Sequence, residues 1–158
     1  MKNEIMELVE RLFNDGSERD LQALKHVLEG LNNKPFIYMD EILHMDGQVK
    51  DNTCEVTMPL NPLVNNPLDI VHGGVTATLI DAAMGRLIHT ILPPDLAGVT
   101  TQLNVQYIAP GIGESITCKA RIDHQGAKTM LLSADVYRSD GQKIAQATGS
   151  FFIIKKRK

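Results

Sequence analysis

The sequence predicts an α+β domain in which one long, mostly antiparallel sheet wraps around one central helix, with two short helices ahead of it. Three observations carry this prediction. Apolar residues recur at helical spacing through the first 31 residues, the period changes to two from Phe36 onward, and a single apolar stretch from Val75 to Ile91 interrupts the alternating segments. Two strands, one helix and four strands pack most economically with the helix against one face of a single sheet.

Each element has its own signal. Ile5, Leu8, Val9, Leu12 and Phe13 trace one helical stripe, which "NDGS" ends. Ser17 with Asp20 has the form of a helix start, and Leu21, Leu24, Val27, Leu28 and Leu31 form a second stripe that runs out at Gly30 and "NNKP". The division expected is residues 1–34 as a helical extension and 35–158 as the main domain. "YMDEILHMDGQ" and "NTCEVTMPL" read as two strands joined by a turn between Asp46 and Asn52. "VTTQLNVQYIAP", "ESITCKARIDHQ", "TMLLSADVYR" and "KIAQATGSFFII" read as four more, divided by "PGIG", "QGAK" and "SDG". Ile116, Cys118, Ala120 and Ile122 alternate with Thr117, Lys119, Arg121 and Asp123, the pattern of a half-buried strand.

Composition excludes several function classes. A chain of 158 residues with 43% hydrophobic residues builds one substantial core. The net charge of −3 offers no basic surface for nucleic acid or for an anionic membrane. The N-terminal helix pair holds more acids than bases, which argues against phosphate contact, and the terminal "KKRK" reads as a solvated tail. No apolar run is long enough to span a bilayer, and "MKNEIMELVERLF" carries acids where a secretory signal needs a basic region, so a cytoplasmic location is expected. Cys54 and Cys118 lie far apart with no paired spacing, and the five histidines show none either. Reduced, packed thiols are expected, and neither a metal nor a cofactor is implied.

The chemistry concentrates in "NNPLDIVHGGVTATLIDAAMG", residues 65–85. Small and aliphatic side chains cover much of the circumference of the helix that follows, so it is expected to be buried nearly all round, with Asp81 inside it. A carboxylate there is costly unless it is satisfied: either it bridges to a buried hydroxyl or amide, or it performs chemistry. Gly73 and Gly74 stand at the helix entrance, where backbone N–H groups lack intrahelical partners and the macrodipole is positive. They either make a tight turn or leave an N–H open to a carbonyl oxygen that gains negative charge.

"HGGVTATLID", followed by "GVTTQLNVQYIAP" and "AQATGSFFII", resembles the hotdog-fold acyl-CoA thioesterases, the group that includes the phenylacetate-pathway thioesterases and the mammalian thioesterase superfamily members. The resemblance covers about residues 36 to 154. It implies a hotdog fold and hydrolysis of acyl-CoA to a free acid and coenzyme A. It also implies that the Gly73 N–H polarises the thioester carbonyl and that Asp81 acts as general base or nucleophile. Asn66, six residues before the histidine, would hold the carbonyl or a water, and Thr100 stands where some members carry a serine. His72, beside Gly74 in the substrate-binding turn, would orient the loop by hydrogen bonding without transferring a proton.

Spacing adds an expectation about assembly. Eight residues separate Gly73 from Asp81, roughly 12 Å along an α-helix, whereas a base must lie within about 3 Å of the atom it acts on. Two antiparallel copies of the helix across a twofold axis bring Gly73 of one chain to Asp81 of the other. The resemblance implies the same homodimer, often paired into a homotetramer. Met39, Met58, Leu63 and the N-terminal helices are expected to line the acyl pocket, and Arg121, Lys128, Arg138 and the terminal lysines are candidates for the CoA phosphates. Two alternatives are a non-catalytic acyl-CoA binding module, which needs no base, and a hotdog-fold enoyl-CoA hydratase, whose Asp and His pairing is not seen here.

Overall fold

The computed structural model describes residues 1–33 and 37–156. Two helices come first, α1 (Lys2–Asp15) and α2 (Glu18–Asn32). Ser17 caps α2 as the sequence predicts: its side chain accepts from the Asp20 N–H, and the Asp20 carboxylate accepts from the Ser17 N–H at 2.8 Å. The helix runs through Gly30 to Asn32, and a side chain at Gly30 would strike the backbone carbonyl of Glu41 at 2.3 Å, so the glycine serves close packing and does not end the helix.

The next segment departs from the predicted strand. Tyr38–Ile42 forms a short helix, α3, and only Asp46–Lys50 is strand (β1). Tertiary contacts override the alternating pattern. Asp40 is drawn to Arg86 of the central helix at 2.8 Å, and His44, with φ 50°, ends the helical turn. Phe36, where the period of two was expected to begin, lies outside the described residues. The turn into β2 (Thr53–Pro59) is tighter than expected, with Lys50 paired to Thr53 and Asp51 and Asn52 both at positive φ. Those two residue types tolerate that conformation.

The central helix, α4, spans Gly73–Ile91, and β3 (Leu96–Tyr107), β4 (Ser115–Gln125), β5 (Thr129–Arg138) and β6 (Lys143–Lys155) follow. All six strands form one antiparallel sheet in the order β1-β2-β4-β5-β6-β3. This is the hotdog arrangement, with α4 packed against the sheet. Thr76, Leu79, Ile80, Ala83, Met84, Leu87 and Ile88 form its buried stripe. Approach is close enough that a side chain at Gly149 of β6 would meet Met84 Sδ at 2.7 Å. The helix is not buried all round, however. Gly74 is exposed and Thr78, Asp81 and Gly85 are half-buried, so a second face of small residues lies open in the single chain. Sheet order explains this, because β3 is an edge strand and one chain covers only one side of its helix.

Both cysteines are free and buried, one on β2 and the other on β4. Burial pushes both thiols above their ordinary range. Met58 also belongs to this core with no exposed surface, which removes it from the expected pocket lining.

Candidate active site

The entrance to α4 is organised around His72. As the helix cap it accepts the Val75 and Thr76 N–H groups on its carbonyl at 2.9 and 3.1 Å, and the Gly74 N–H on Nδ1 at 3.2 Å. The Gly73 N–H has no acceptor among the described residues. Of the four N–H groups in this turn, one therefore stays open, at the positive end of a 19-residue helix. Gly73 also lies under the ring of Tyr107, at the end of β3. The Tyr107 hydroxyl donates to the Gly73 carbonyl at 2.6 Å, and a side chain on Gly73 would approach the ring at 3.2 Å. Tyr107 was missed in the sequence because only its hydroxyl, in "QYIAP", hints at a polar partner.

Asn66 is engaged within its own loop. Its Oδ1 accepts from the Leu68 and Ile70 N–H groups at 2.9 and 3.3 Å. The amide NH2 is the part of the side chain that remains to donate to a ligand. The same loop is tied to the N-terminal helices by Arg19 and Asp69 at 2.5 Å.

Two turns into α4, Asp81 accepts a hydrogen bond from Thr100 Oγ1 at 2.8 Å. A β-bulge between Thr100 and Gln102 breaks the register of β3 against β6. The adjacent hydroxyls take different partners: Thr100 meets Asp81, while Thr101 donates to the Ser150 carbonyl at 3.0 Å. The carboxylate is half-buried rather than enclosed. These five residues thus divide into two groups, Gly73 with His72 and Tyr107, and Asp81 with Thr100.

The groups open onto different clefts. Gly73, Thr76 and Tyr107 line one of about 430 Å³. Asp81 lines another of about 580 Å³ with Ile37, Val49, Gly85 and Arg86, and the two share no residue. The second cleft is held by Arg86, whose guanidinium donates to Asp40 at 2.8 Å and to the Met45 carbonyl at 3.0 Å. A larger groove of about 680 Å³ between α1 and α2 contains none of these groups.

Among the phosphate candidates, Arg121 is engaged by Asp123 and Asp135 and Arg138 by Asp140, whereas Lys128 is exposed. Arg157 and Lys158 lie outside the described residues. Among the described residues no cluster of His, Cys, Asp or Glu is placed to hold a metal, and no helix is long and apolar enough to cross a membrane.

Known proteins resemble this chain in sequence and in fold. The sequence model of the thioesterase superfamily matches residues 68–145, which include the His72 turn, Asp81, Thr100 and Tyr107. Acyl-coenzyme A thioesterase 13 of Mus musculus is 35% identical over 95 residues, covering 59% of this chain and 66% of that protein. The Homo sapiens protein of the same name is 34% identical over 85 residues, 51% of this chain and 59% of its own. The chain thus spans less than two thirds of the length of these curated relatives. A Bacillus halodurans protein, whose crystal structure was solved with CoA, superposes with a TM-score of 0.84 at 36% identity, over 90% of this chain and 98% of that one. The PaaI protein from the phenylacetic acid degradation operon of E. coli shares the fold at a TM-score of 0.70, with 20% identity over 84% of this chain and 95% of its own. On fold, motif and these likenesses together, the chain belongs to the thioesterase superfamily.

Proposed function

We propose that this chain hydrolyses acyl-CoA thioesters to a free acid and coenzyme A, at sites shared between two copies. The observation that carries the reading is the open Gly73 N–H at the head of α4, combined with a carboxylate held by Thr100 two turns along the same helix. The N–H polarises the thioester carbonyl, and Asp81 of the other subunit removes a proton from water as it attacks the carbonyl carbon. The tetrahedral oxyanion then rests on the Gly73 N–H, and its collapse breaks the C–S bond and releases the CoA thiolate. Attack by the Asp81 carboxylate itself is the nucleophilic form of the same step. Thr100 orients the carboxylate, and the Asn66 NH2 group assists in holding the carbonyl or the water.

The shared site is supported by the separation of the two clefts within one chain and by the open face of α4, along which Gly74, Thr78, Asp81 and Gly85 recur at helical spacing. Coenzyme A as the carrier is supported by the CoA bound to the Bacillus halodurans protein and by the names of the mammalian relatives. The N-terminal pair, residues 1–34, is an extension to the thioester domain, as the lack of any buried residue in α1 suggests. Free, buried thiols fit a reducing compartment such as the cytoplasm.

The test is release of free thiol from a panel of short, medium and aryl acyl-CoAs. Hydrolysis of at least one is expected. Tight binding of acyl-CoA with no release across the panel would favour a binding module, and hydration of enoyl-CoA without thiol release would favour a hydratase.

A further inference from the structure

We infer that Tyr107 is a positioning residue for the oxyanion donor, acting through a hydrogen-bond chain that passes across the Gly73–Gly74 peptide; the inference rests on the hydrolase reading above. The chain has two links, one on each side of that peptide group. The Tyr107 hydroxyl donates to the Gly73 carbonyl at 2.6 Å, and the N–H of the same peptide, on Gly74, donates to His72 Nδ1 at 3.2 Å. Linked donors and acceptors of this kind polarise one another.

A glycine pair makes such a clamp necessary. Two glycines give the backbone room to meet a ligand, and they also give it more conformational freedom than any other pair of residues. An N–H that must point at a developing oxyanion cannot be left to that freedom, because stabilisation depends on donors already in place. Fixing the Gly73–Gly74 peptide at both its oxygen and its nitrogen leaves few rotations to Gly73, and thereby sets the direction of its own N–H. His72 supplies one anchor from within the turn.

The other anchor comes from the sheet. Tyr107 is paired with Ala145 on β6, and just past it the Ile108 and Ala109 N–H groups both donate to the Ile144 carbonyl, at 2.8 and 3.2 Å. The tyrosine therefore projects from a strand end that is itself held, the kind of support an active-site group needs. Its ring covers one side of Gly73, at 3.2 Å from where a side chain would begin. A side chain at position 73 would press on that ring, which would have to give by a few tenths of an ångström.

Tyr107→Phe keeps the ring and removes the donor. With an acyl-CoA that the unaltered protein hydrolyses, kcat is expected to fall about tenfold, less than the roughly hundredfold cost of a 1 Å misplacement. KM should be unchanged, and so should the thermal midpoint, since the hydroxyl belongs to a half-exposed residue. The amide resonance of Gly74 in a 1H–15N spectrum should move, because its peptide has lost one of its two links. Unchanged kcat, a rise in KM with kcat intact, or an unmoved Gly74 amide would each overturn the assignment. If the unaltered protein releases no thiol from any acyl-CoA, the hydrolase reading fails by itself, and the Gly74 amide still decides whether Tyr107 clamps the turn.

Discussion

Thr100 donates its hydroxyl proton to Asp81 Oδ1 at 2.8 Å, across the gap between the edge strand β3 and the central helix. The bond occupies one carboxylate oxygen and leaves the other without a donor among the described residues. It fixes the side chain in one orientation on the open face of α4. A carboxylate serving structure alone would be expected to accept more donors than one at a half-buried position. Asp81→Asn keeps the shape and removes the base, so kcat should fall by about 10²–10⁴ with thermal stability nearly unchanged. Near-normal turnover in steady-state thiol release would remove Asp81 from the chemistry.

Replacement of Thr100 separates orientation from packing. Thr100→Ser retains the donor and loses only a methyl group, so turnover should stay within a few-fold of the unaltered protein. Thr100→Val keeps the shape and loses the donor; kcat should drop about tenfold with KM little affected, in line with the loss of a hydrogen bond to a charged group. Equal effects of the two substitutions would assign Thr100 to packing, and parallel kcat and KM measurements make the distinction.

Stability should fall as the solution is acidified, for a reason unrelated to catalysis. His26 of α2 stacks on His44 with ring centroids 3.7 Å apart, and His44 Nε2 lies 2.9 Å from the His26 carbonyl. Burial, and then the neighbouring His44, hold the His26 imidazole below its ordinary value of 6.5, against weaker opposing effects from the Ile42 backbone and Glu29. Below about pH 6.5 the unfolded chain takes up a proton that the folded chain resists, so the unfolded state gains. The stability contributed by neutral His26 is complete above that pH and is lost as pH falls through the lower folded value. Urea midpoints measured between pH 8 and pH 5 should decline, and His26→Gln should flatten the decline. An equal slope in the variant would place the acid sensitivity elsewhere.

The sequence carried most of this architecture because its signals are local. Ser17 and Asp20 announce a cap through their spacing alone, and the alternation from Ile116 to Ile122 marks β4 whatever packs beside it. Gly73 and Asp81 were legible for the same reason, as a helix entrance and an acid at fixed separation on one helix. What was not legible depends on distant partners. Tyr38–Ile42 alternates like a strand, yet it folds as a helix because Asp40 reaches Arg86, 46 residues away. Tyr107 gives no local sign that its hydroxyl will find a carbonyl 34 residues earlier. Nor does a run of small apolar residues reveal that Gly74 and Thr78 will face outward, since burial of a helix face is decided by what packs against it.

The shared site can be tested without knowledge of the natural substrate, once any acyl-CoA is turned over. Asp81→Asn chains and Gly73→Pro chains, each inactive alone, are unfolded and refolded together. In a mixed dimer one site receives both mutations, while the other receives Gly73 from the first chain and Asp81 from the second. Random pairing makes about half the dimers mixed, so activity should return to roughly a quarter of that of the unaltered protein. Proline suits the first position of a helix, and His72 before it is already extended, with ψ 133°. The ring of Tyr107 must yield to the new Cβ, so Gly73→Ala, which adds the same atom and keeps the N–H, is the control for that displacement. If Gly73→Ala is active and the folded mixture stays as inactive as its parents, each site draws both groups from one chain. The separation of the two clefts would then have another cause.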